Sequence, residues 1–153
     1  MQNRDYPFNM RAIFCFLFMV PWLAFSQTTN IIAASYKNGQ PKEIHLYLEE
    51  NNKIALVKKS YYRSNGQKSM VQHYKNKLKN GRFVEWRKDG SRIEEGVYEN
   101  GDKHGHWIFW SEKGRKVKEG KYVHGLKEGV WTKYTHIGKV LWKKRYENGI
   151  EVD

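Results

Sequence analysis

The fold is decided by a ten-residue stretch that occurs three times in the chain. The copies are Gly81-Arg-Phe-Val-Glu-Trp-Arg-Lys-Asp-Gly90, Gly105-His-Trp-Ile-Phe-Trp-Ser-Glu-Lys-Gly114 and Gly129-Val-Trp-Thr-Lys-Tyr-Thr-His-Ile-Gly138. Their first glycines are 24 residues apart, with no insertion between the copies. A fixed period of this size is the sequence signature of a repeat architecture.

Each unit predicts a β-hairpin. Glycine-bearing turns separate segments rich in aromatic and β-branched residues, which predicts two strands per unit at 82–87 and 92–99, 106–111 and 116–123, and 130–135 and 140–147. A tight turn after every strand makes neighbouring strands antiparallel. The chain is therefore predicted to be all-β, an antiparallel meander of repeated 24-residue β-hairpins.

Before the three well-defined repeats, the sequence predicts degenerate copies of the same hairpin. Tyr62, Gly66 and Tyr74 occupy the positions of Trp86, Gly90 and Tyr98, whereas Val57, Lys59 and Lys77 replace motif residues. The stretch Tyr36-Lys-Asn-Gly39 has the Tyr-x-x-Gly form that closes the later units. Terminal repeats are often atypical because they cap an array. We therefore divide the chain into 1–26, an N-terminal cap with degenerate repeats at 27–80, and three repeats at 81–153.

The first segment has the features of a secretory signal peptide. Arg11 is followed by an uncharged run at 12–25, which is too short to cross a bilayer as a helix. Small residues in Ala24-Phe-Ser26 predict cleavage after Ser26. An uncleaved membrane anchor is the alternative, and Met10 is a second candidate start. We expect an exported protein, in the periplasm, the outer envelope or outside the cell, with no transmembrane segment in the mature chain.

The chain is strongly basic. Lys and Arg number 28 against 16 Asp and Glu, and removal of Arg4, Asp5 and Arg11 with the signal peptide leaves a net charge of +11. Such an excess favours anionic partners, which for an exported protein are lipid head groups, lipopolysaccharide phosphates or acidic glycans. Nucleic acid also suits a basic and aromatic composition, but export argues against it. A basic surface that only maintains solubility is the alternative.

Aromatic residues recur in columns along the repeats. These columns are Phe83, Trp107 and Trp131; Trp86, Trp110 and Tyr134; and Tyr98, Tyr122 and Tyr146. Gly96 and Gly120 are predicted to lie beneath a neighbouring ring, because a missing side chain admits the ring against the backbone. Packing on the sheet explains these rings without any ligand. If the sheet binds a partner, the predicted contact residues are Trp86, Trp107, Trp110, Trp131 and Tyr134 with Arg115 and Lys116.

Catalysis and cofactor binding find little support in the sequence. Gly-x-Ser-x-Gly, His-Glu-x-x-His and phosphate-binding glycine loops are absent, so we predict no enzyme, no catalytic residue and no cofactor. Glu94 and Glu95 are adjacent in a strand and point to opposite faces. His104, His106 and His124 form a weak metal-like cluster, and we interpret them as solvated turn histidines.

The repeated pattern Gly-x-Trp-x-x-Trp/Tyr-x-x-x-Gly, followed by Glu-Gly-x-Tyr-x-x-Gly, resembles the bacterial variant of MORN repeats. Two links in this chain show it: Tyr98-Glu-Asn-Gly101-Asp-Lys-His-Gly105-His-Trp107 and Tyr122-Val-His-Gly125-Leu-Lys-Glu-Gly129-Val-Trp131. The resemblance covers 81–152 well and 36–80 loosely. It implies an elongated, slightly twisted, single-layer antiparallel sheet of successive hairpins.

The same resemblance suggests two functions. Bacterial proteins built from this variant are often labelled antitoxin-like, and MORN repeats in larger proteins are linked to membranes, lipids and protein partners. We expect a non-catalytic exported scaffold that binds a protein or an anionic envelope component, a lipid head group or glycan. The alternative is an antitoxin-like or immunity protein that neutralises a toxin by direct contact; the signal peptide argues against a cytoplasmic toxin.

Overall fold

A computed structural model describes residues 26–152, and all of their regular structure is β. The strands are β1 (Gln27–Ser35), β2 (Pro41–Glu50), β3 (Lys53–Tyr62), β4 (Lys68–Lys75), β5 (Leu78–Trp86), β6 (Arg92–Glu99), β7 (Asp102–Trp110), β8 (Lys116–Val123), β9 (Leu126–Tyr134), β10 (Val140–Glu147) and β11 (Ile150–Val152). They lie in chain order in one open antiparallel sheet. The predicted all-β, single-layer meander of hairpins is therefore confirmed.

The predicted signal peptide lies outside the described residues, except for Ser26, which precedes β1. The stretch 26–152 contains no helix of the length and apolar character that crossing a membrane requires.

Two kinds of turn alternate along the repeats. Five-residue turns at 87–91, 111–115 and 135–139 are closed from the first residue to the fifth, as where the Arg87 N–H donates to the Ser91 carbonyl at 2.8 Å. Two-residue turns follow at Asn100-Gly101, His124-Gly125 and Asn148-Gly149. Both residues of each two-residue turn have positive φ, 50° and 102° in the first of them. Positive φ at both positions is the geometry of type I′ hairpins.

The strand boundaries were predicted correctly on one side of each hairpin only. β6, β8 and β10 span the expected residues, but β5, β7 and β9 begin four residues earlier than expected. A two-residue turn allows pairing to resume at once, so the Asp102–Gly105 link belongs to β7. The assignment of Tyr36–Gly39 to the closing turn was wrong. The Tyr36 N–H donates to the Gln40 carbonyl at 2.8 Å, as in the five-residue turns.

Most of the core lies on one side of the sheet, which we call the aromatic face and define by Phe83, Trp107 and Trp131. Val84, which follows Phe83 in β5, is buried on the other side. Trp107 and Trp131 have 0% of their surface exposed. Each ring lies over a glycine, since a Cβ on Gly96 would fall 2.3 Å from Trp107 ring atoms, and one on Gly120 2.2 Å from those of Trp131. The predicted ring-over-glycine packing is therefore confirmed.

Candidate functional site

The predicted contact residues are divided between the two faces of the sheet. Trp107 and Trp131 are fully buried on the aromatic face. Three further predicted residues lie three positions after Phe83, Trp107 and Trp131 in the same strands: Trp86, Trp110 and Tyr134. Successive side chains of a strand alternate between the two faces. These three residues therefore project from the other side, which we call the opposite face. The predicted residues do not form one continuous surface.

On the opposite face, two of the predicted contact residues, Lys116 and Tyr134, bond to one carboxylate. The Lys116 Nζ lies 2.8 Å from Glu119 Oε2, and the Tyr134 hydroxyl donates to Glu119 Oε1. Burial raises the pKa of Glu119, but the hydrogen bonds from Lys116 and Tyr134 lower it overall. The charge of Lys116 is thus matched within the protein.

Arginines tie consecutive five-residue turns together at one end of the hairpins. Arg63 donates to the Trp86 carbonyl, and Arg87 donates to the Trp110 carbonyl at 2.7 Å. Position 111 should hold the next arginine of this series but is serine, and Arg115 instead donates to the His136 carbonyl. The guanidinium of Arg115, a predicted contact residue, therefore joins two turns, although its residue is exposed.

The aromatic face contains a groove that the repeat motif does not include. We call it the lysine groove, and its volume is about 530 Å³. Its lining residues come from β7 to β10 and are Phe109, Val117, Lys118, Lys127, Lys133, Trp142, Lys144 and Tyr146.

Strand register explains how the lysine groove forms. Lys118 on β8 is paired with Phe109 on β7 and with Lys133 on β9. Lys133 is paired in turn with Trp142 on β10. Paired residues in an antiparallel sheet point to the same face, with Cβ atoms about 5 Å apart. Two lysines therefore lie side by side between two aromatic rings.

The lysines of the groove lack counter-ions. Among residues 26–152, Lys118, Lys127 and Lys133 form no salt bridge, whereas Lys144 lies 2.7 Å from Glu151 Oε1. Burial lowers the pKa of Lys118, the charges of Lys127, Lys103 and Lys133 lower it further, and the charge of Glu94 opposes them only in part. Like charges directly opposite in a sheet are destabilising, so folding holds these amines together at a cost.

Aromatic rings partly compensate for the missing anions. The Lys118 Nζ lies 4.5 Å from the ring centre of Phe109, and the Lys127 Nζ lies 4.3 Å from that of Tyr146. Such cation–π contacts contribute about 0.5–1 kcal/mol at partly exposed sites. They stabilise the ammonium groups without cancelling their charge, so the groove stays positive and its walls are apolar.

The lysine groove is specific to this part of the array. Twenty-four residues before Lys118 and Lys127 stand Glu94 and Lys103, whose charged atoms lie 2.9 Å apart. The preceding equivalent surface is therefore internally neutralised, although its backbone is the same. Sequence reasoning missed the groove because it grouped basic residues by adjacency in the chain. The signal in the sequence was that Lys118 stands where the preceding repeat has Glu94.

The histidines of the turns do not come together as a ligand set. Among the residues the structure describes, no group of three or more His, Cys, Asp or Glu side chains could hold a metal ion. His104 and His124 meet edge to face at 5.8 Å, and His104 Nδ1 lies 3.1 Å from Glu99 Oε2. His106 Nε2 lies 3.5 Å from Glu119 on the opposite face.

Comparison with known proteins adds no identification. The chain matches no protein-family model and no curated protein.

Proposed function

We propose that the chain is an exported, non-catalytic, MORN-like repeat scaffold whose lysine groove binds an anionic component of the cell envelope, a lipid head group or an acidic glycan. The observation that carries the proposal is a group of three lysines that form no salt bridge within residues 26–152. Lys118 and Lys133 lie side by side between Phe109 and Trp142, and Lys127 lines the same groove. The predicted signal peptide and the MORN-like motif, both read from the sequence, support the rest of the proposal.

An anion in the groove would supply the negative charge that the lysines lack within the protein. A phosphate, sulfate or carboxylate between Lys118 and Lys133 would relieve their mutual repulsion, and ring walls of low polarity would strengthen the attraction. Lysine ammonium groups act as point charges and lack the planar fork of arginine. The groove therefore selects for charge, and its rings contact the uncharged part of a head group or sugar.

The lining supports binding over catalysis. The groove contains lysines, aromatic rings and one valine, and no histidine, cysteine, serine or carboxylate lines it. Of the side chains that commonly transfer protons, the groove contains lysines and Tyr146, and the Tyr146 hydroxyl donates to Glu151 Oε2 at 3.4 Å, not to a lysine of the groove.

Sedimentation with lipid vesicles and retention on immobilised glycans test the proposal. The probes are vesicles of phosphatidylglycerol with phosphatidylcholine, and polygalacturonate, with phosphatidylcholine alone and a neutral glucan as references. We expect the full chain to bind at least one anionic probe, and to bind less as salt screens the charges. A Lys118→Gln/Lys133→Gln variant should bind roughly tenfold more weakly, a loss of about 1.4 kcal/mol.

The matched control is Lys113→Gln/Lys139→Gln, which removes two exposed lysines from turns and leaves the same net charge. This control should retain binding within about twofold. Equal losses in the two variants would assign binding to overall charge. Failure of the wild-type chain to bind either anionic probe would refute the proposed function.

A further inference from the structure

The three unpaired lysines of the groove replace a neutral set of residues in the preceding repeat. The residues that stand 24 positions before Lys118, Lys127 and Lys133 are Glu94, Lys103 and Phe109. Strand pairing is the same in both places, because Glu94 is paired with Phe109 as Lys118 is paired with Lys133. The earlier set contains one negative and one positive charge, whereas the groove set contains three positive charges. Equivalent backbone positions therefore change from no net charge to a net charge of three.

The ammonium groups converge on one side of a single ring. The Nζ atoms of Lys118 and Lys127 lie 5.5 Å and 5.3 Å from the ring centre of Trp131. The inner side of this ring lies against Gly120, so both ammonium groups lie over its outer side. Lys133 enters the same groove from the position paired with Lys118. The three positive charges are therefore accessible to one group of a ligand.

The fourth lysine of the groove differs from these three, because its charge is matched. Lys144 lies 2.7 Å from Glu151 Oε1, and Glu151 Oε2 accepts a hydrogen bond from Tyr146 at 3.4 Å. A second negative group on a ligand that extended past Lys144 would approach this carboxylate and be repelled. The groove therefore suits a ligand whose negative charge is concentrated on one group.

We propose that the lysine groove binds a phosphate monoester in preference to a carboxylate or a phosphodiester. This inference rests on the proposed function, because it names the anionic group that the groove selects. A phosphate monoester carries a charge of about −1.5 to −2 at pH 7 and presents three terminal oxygens, one for each unpaired ammonium group. A carboxylate or a phosphodiester offers one charge and two such oxygens. The ester oxygen leads to the uncharged body of the ligand, which contacts Phe109 and Trp142.

Two matched comparisons test the preference with the full chain at about pH 7. Calorimetric titration compares glucose 6-phosphate, a monoester, with glucuronate, which has a carboxylate at the same carbon. Sedimentation compares vesicles of phosphatidic acid, a monoester, with vesicles of phosphatidylglycerol, a diester, each mixed with phosphatidylcholine. We expect the monoester to bind roughly tenfold more tightly or more in at least one comparison. Preference for glucose 6-phosphate alone identifies a free phosphate as the ligand, and preference for phosphatidic acid alone identifies a lipid head group.

Lys133→Gln removes one of the three ammonium groups, and Lys139→Gln removes another exposed lysine as its control. The preference for the monoester should fall to about threefold or less in Lys133→Gln and stay unchanged in Lys139→Gln. Equal binding of monoester and singly charged probes by the wild type overturns the inference, and the proposed function then still stands. An equal loss of preference in both variants, or in neither, also overturns it, because the groove then does not set the preference. Failure of every anionic probe to bind refutes the proposed function itself.

Discussion

The Trp107 and Trp131 regions of the aromatic face occupy equivalent positions of the repeat but differ in charge. Each tryptophan is fully buried over a glycine, Gly96 or Gly120, and both belong to equivalent hairpins. Beside Trp107, Glu94 forms a salt bridge with Lys103. Beside Trp131, Lys118 occupies the position of Glu94 and forms no salt bridge with any residue between 26 and 152. The comparison shows that the tryptophan and glycine of each repeat specify the fold, whereas the residue at the position of Glu94 and Lys118 sets the charge of the surface.

The shared packing should respond equally in the two regions. Trp107→Ala and Trp131→Ala should each lower the free energy of unfolding by about 3–5 kcal/mol, because each removes a fully buried ring. Gly96→Ala and Gly120→Ala should each cost about 1–3 kcal/mol, since the new methyl group meets the indole. Urea denaturation measures these changes, with Val97→Ala as an exposed control. A large loss at one tryptophan only would break the equivalence.

Exchanging the charges at positions 94 and 118 should exchange the anion binding and the stability of the two regions. Lys118→Glu should lower binding of the anionic probe roughly tenfold or more, since the groove loses one positive charge and gains a negative one. The same change should stabilise the fold by about 0.5 kcal/mol through pairing with Lys127 or Lys133. Glu94→Lys should instead create a second cluster of unpaired lysines. Sedimentation with vesicles and urea denaturation report both effects, and unchanged binding by Lys118→Glu would contradict the assignment of the groove.

The opposite face should affect stability without affecting binding. Tyr134→Phe removes the hydroxyl that donates to Glu119 and should cost about 0.5–1.5 kcal/mol. Because Tyr134 lies on the opposite face from the lysine groove, binding of the anionic probe should not change. Thermal unfolding and the vesicle assay measure the two quantities. A parallel loss of binding would show that the opposite face takes part.

The smallest expected effect is a dependence of stability on pH. The folded state lowers the pKa of Lys118, mainly by burial. Between this lowered pKa and the ordinary lysine value, the unfolded chain binds more protons, so stability rises with pH in that window. The penalty is fully present below the folded pKa. Lys118→Gln should remove this contribution to the slope, as measured by urea midpoints at successive alkaline pH values. A wild-type slope equal to that of Lys118→Gln would contradict the shift.

The repeat made the fold predictable from the sequence. The glycines of each unit and the aromatic columns sufficed to predict antiparallel hairpins, the bounds of β6, β8 and β10, and rings over Gly96 and Gly120. The starts of β5, β7 and β9 were missed because the positive φ of Asn76, Asn100 and His124 allows a turn of only two residues before each of these strands. Propensity alone does not reveal that pairing resumes immediately after such a turn.

The lysine groove could not be predicted from the sequence, for a physical reason. Lys118, Lys127 and Lys133 are separated in the chain and become neighbours only through strand register. Trp107 and Trp131 attracted the sequence interpretation because large rings often bind ligands, but here they form the core. Trp107 and Trp110 are three residues apart within one predicted strand, so side-chain alternation places them on opposite faces wherever the strand begins. Which of the two faces is covered depends on packing between strands, as where Trp107 lies over Gly96.

The most direct test of the lysine groove is an NMR titration that follows the tryptophan indole N–H signals. Trp142 lies in the groove, whereas Trp86 and Trp110 lie on the opposite face. On addition of a galacturonate oligosaccharide or inorganic phosphate, the Trp142 signal should shift and saturate for at least one probe, while the other two stay in place. Equal shifts of all three signals, or no shift of Trp142 with either probe, would contradict an anion site at the lysine groove.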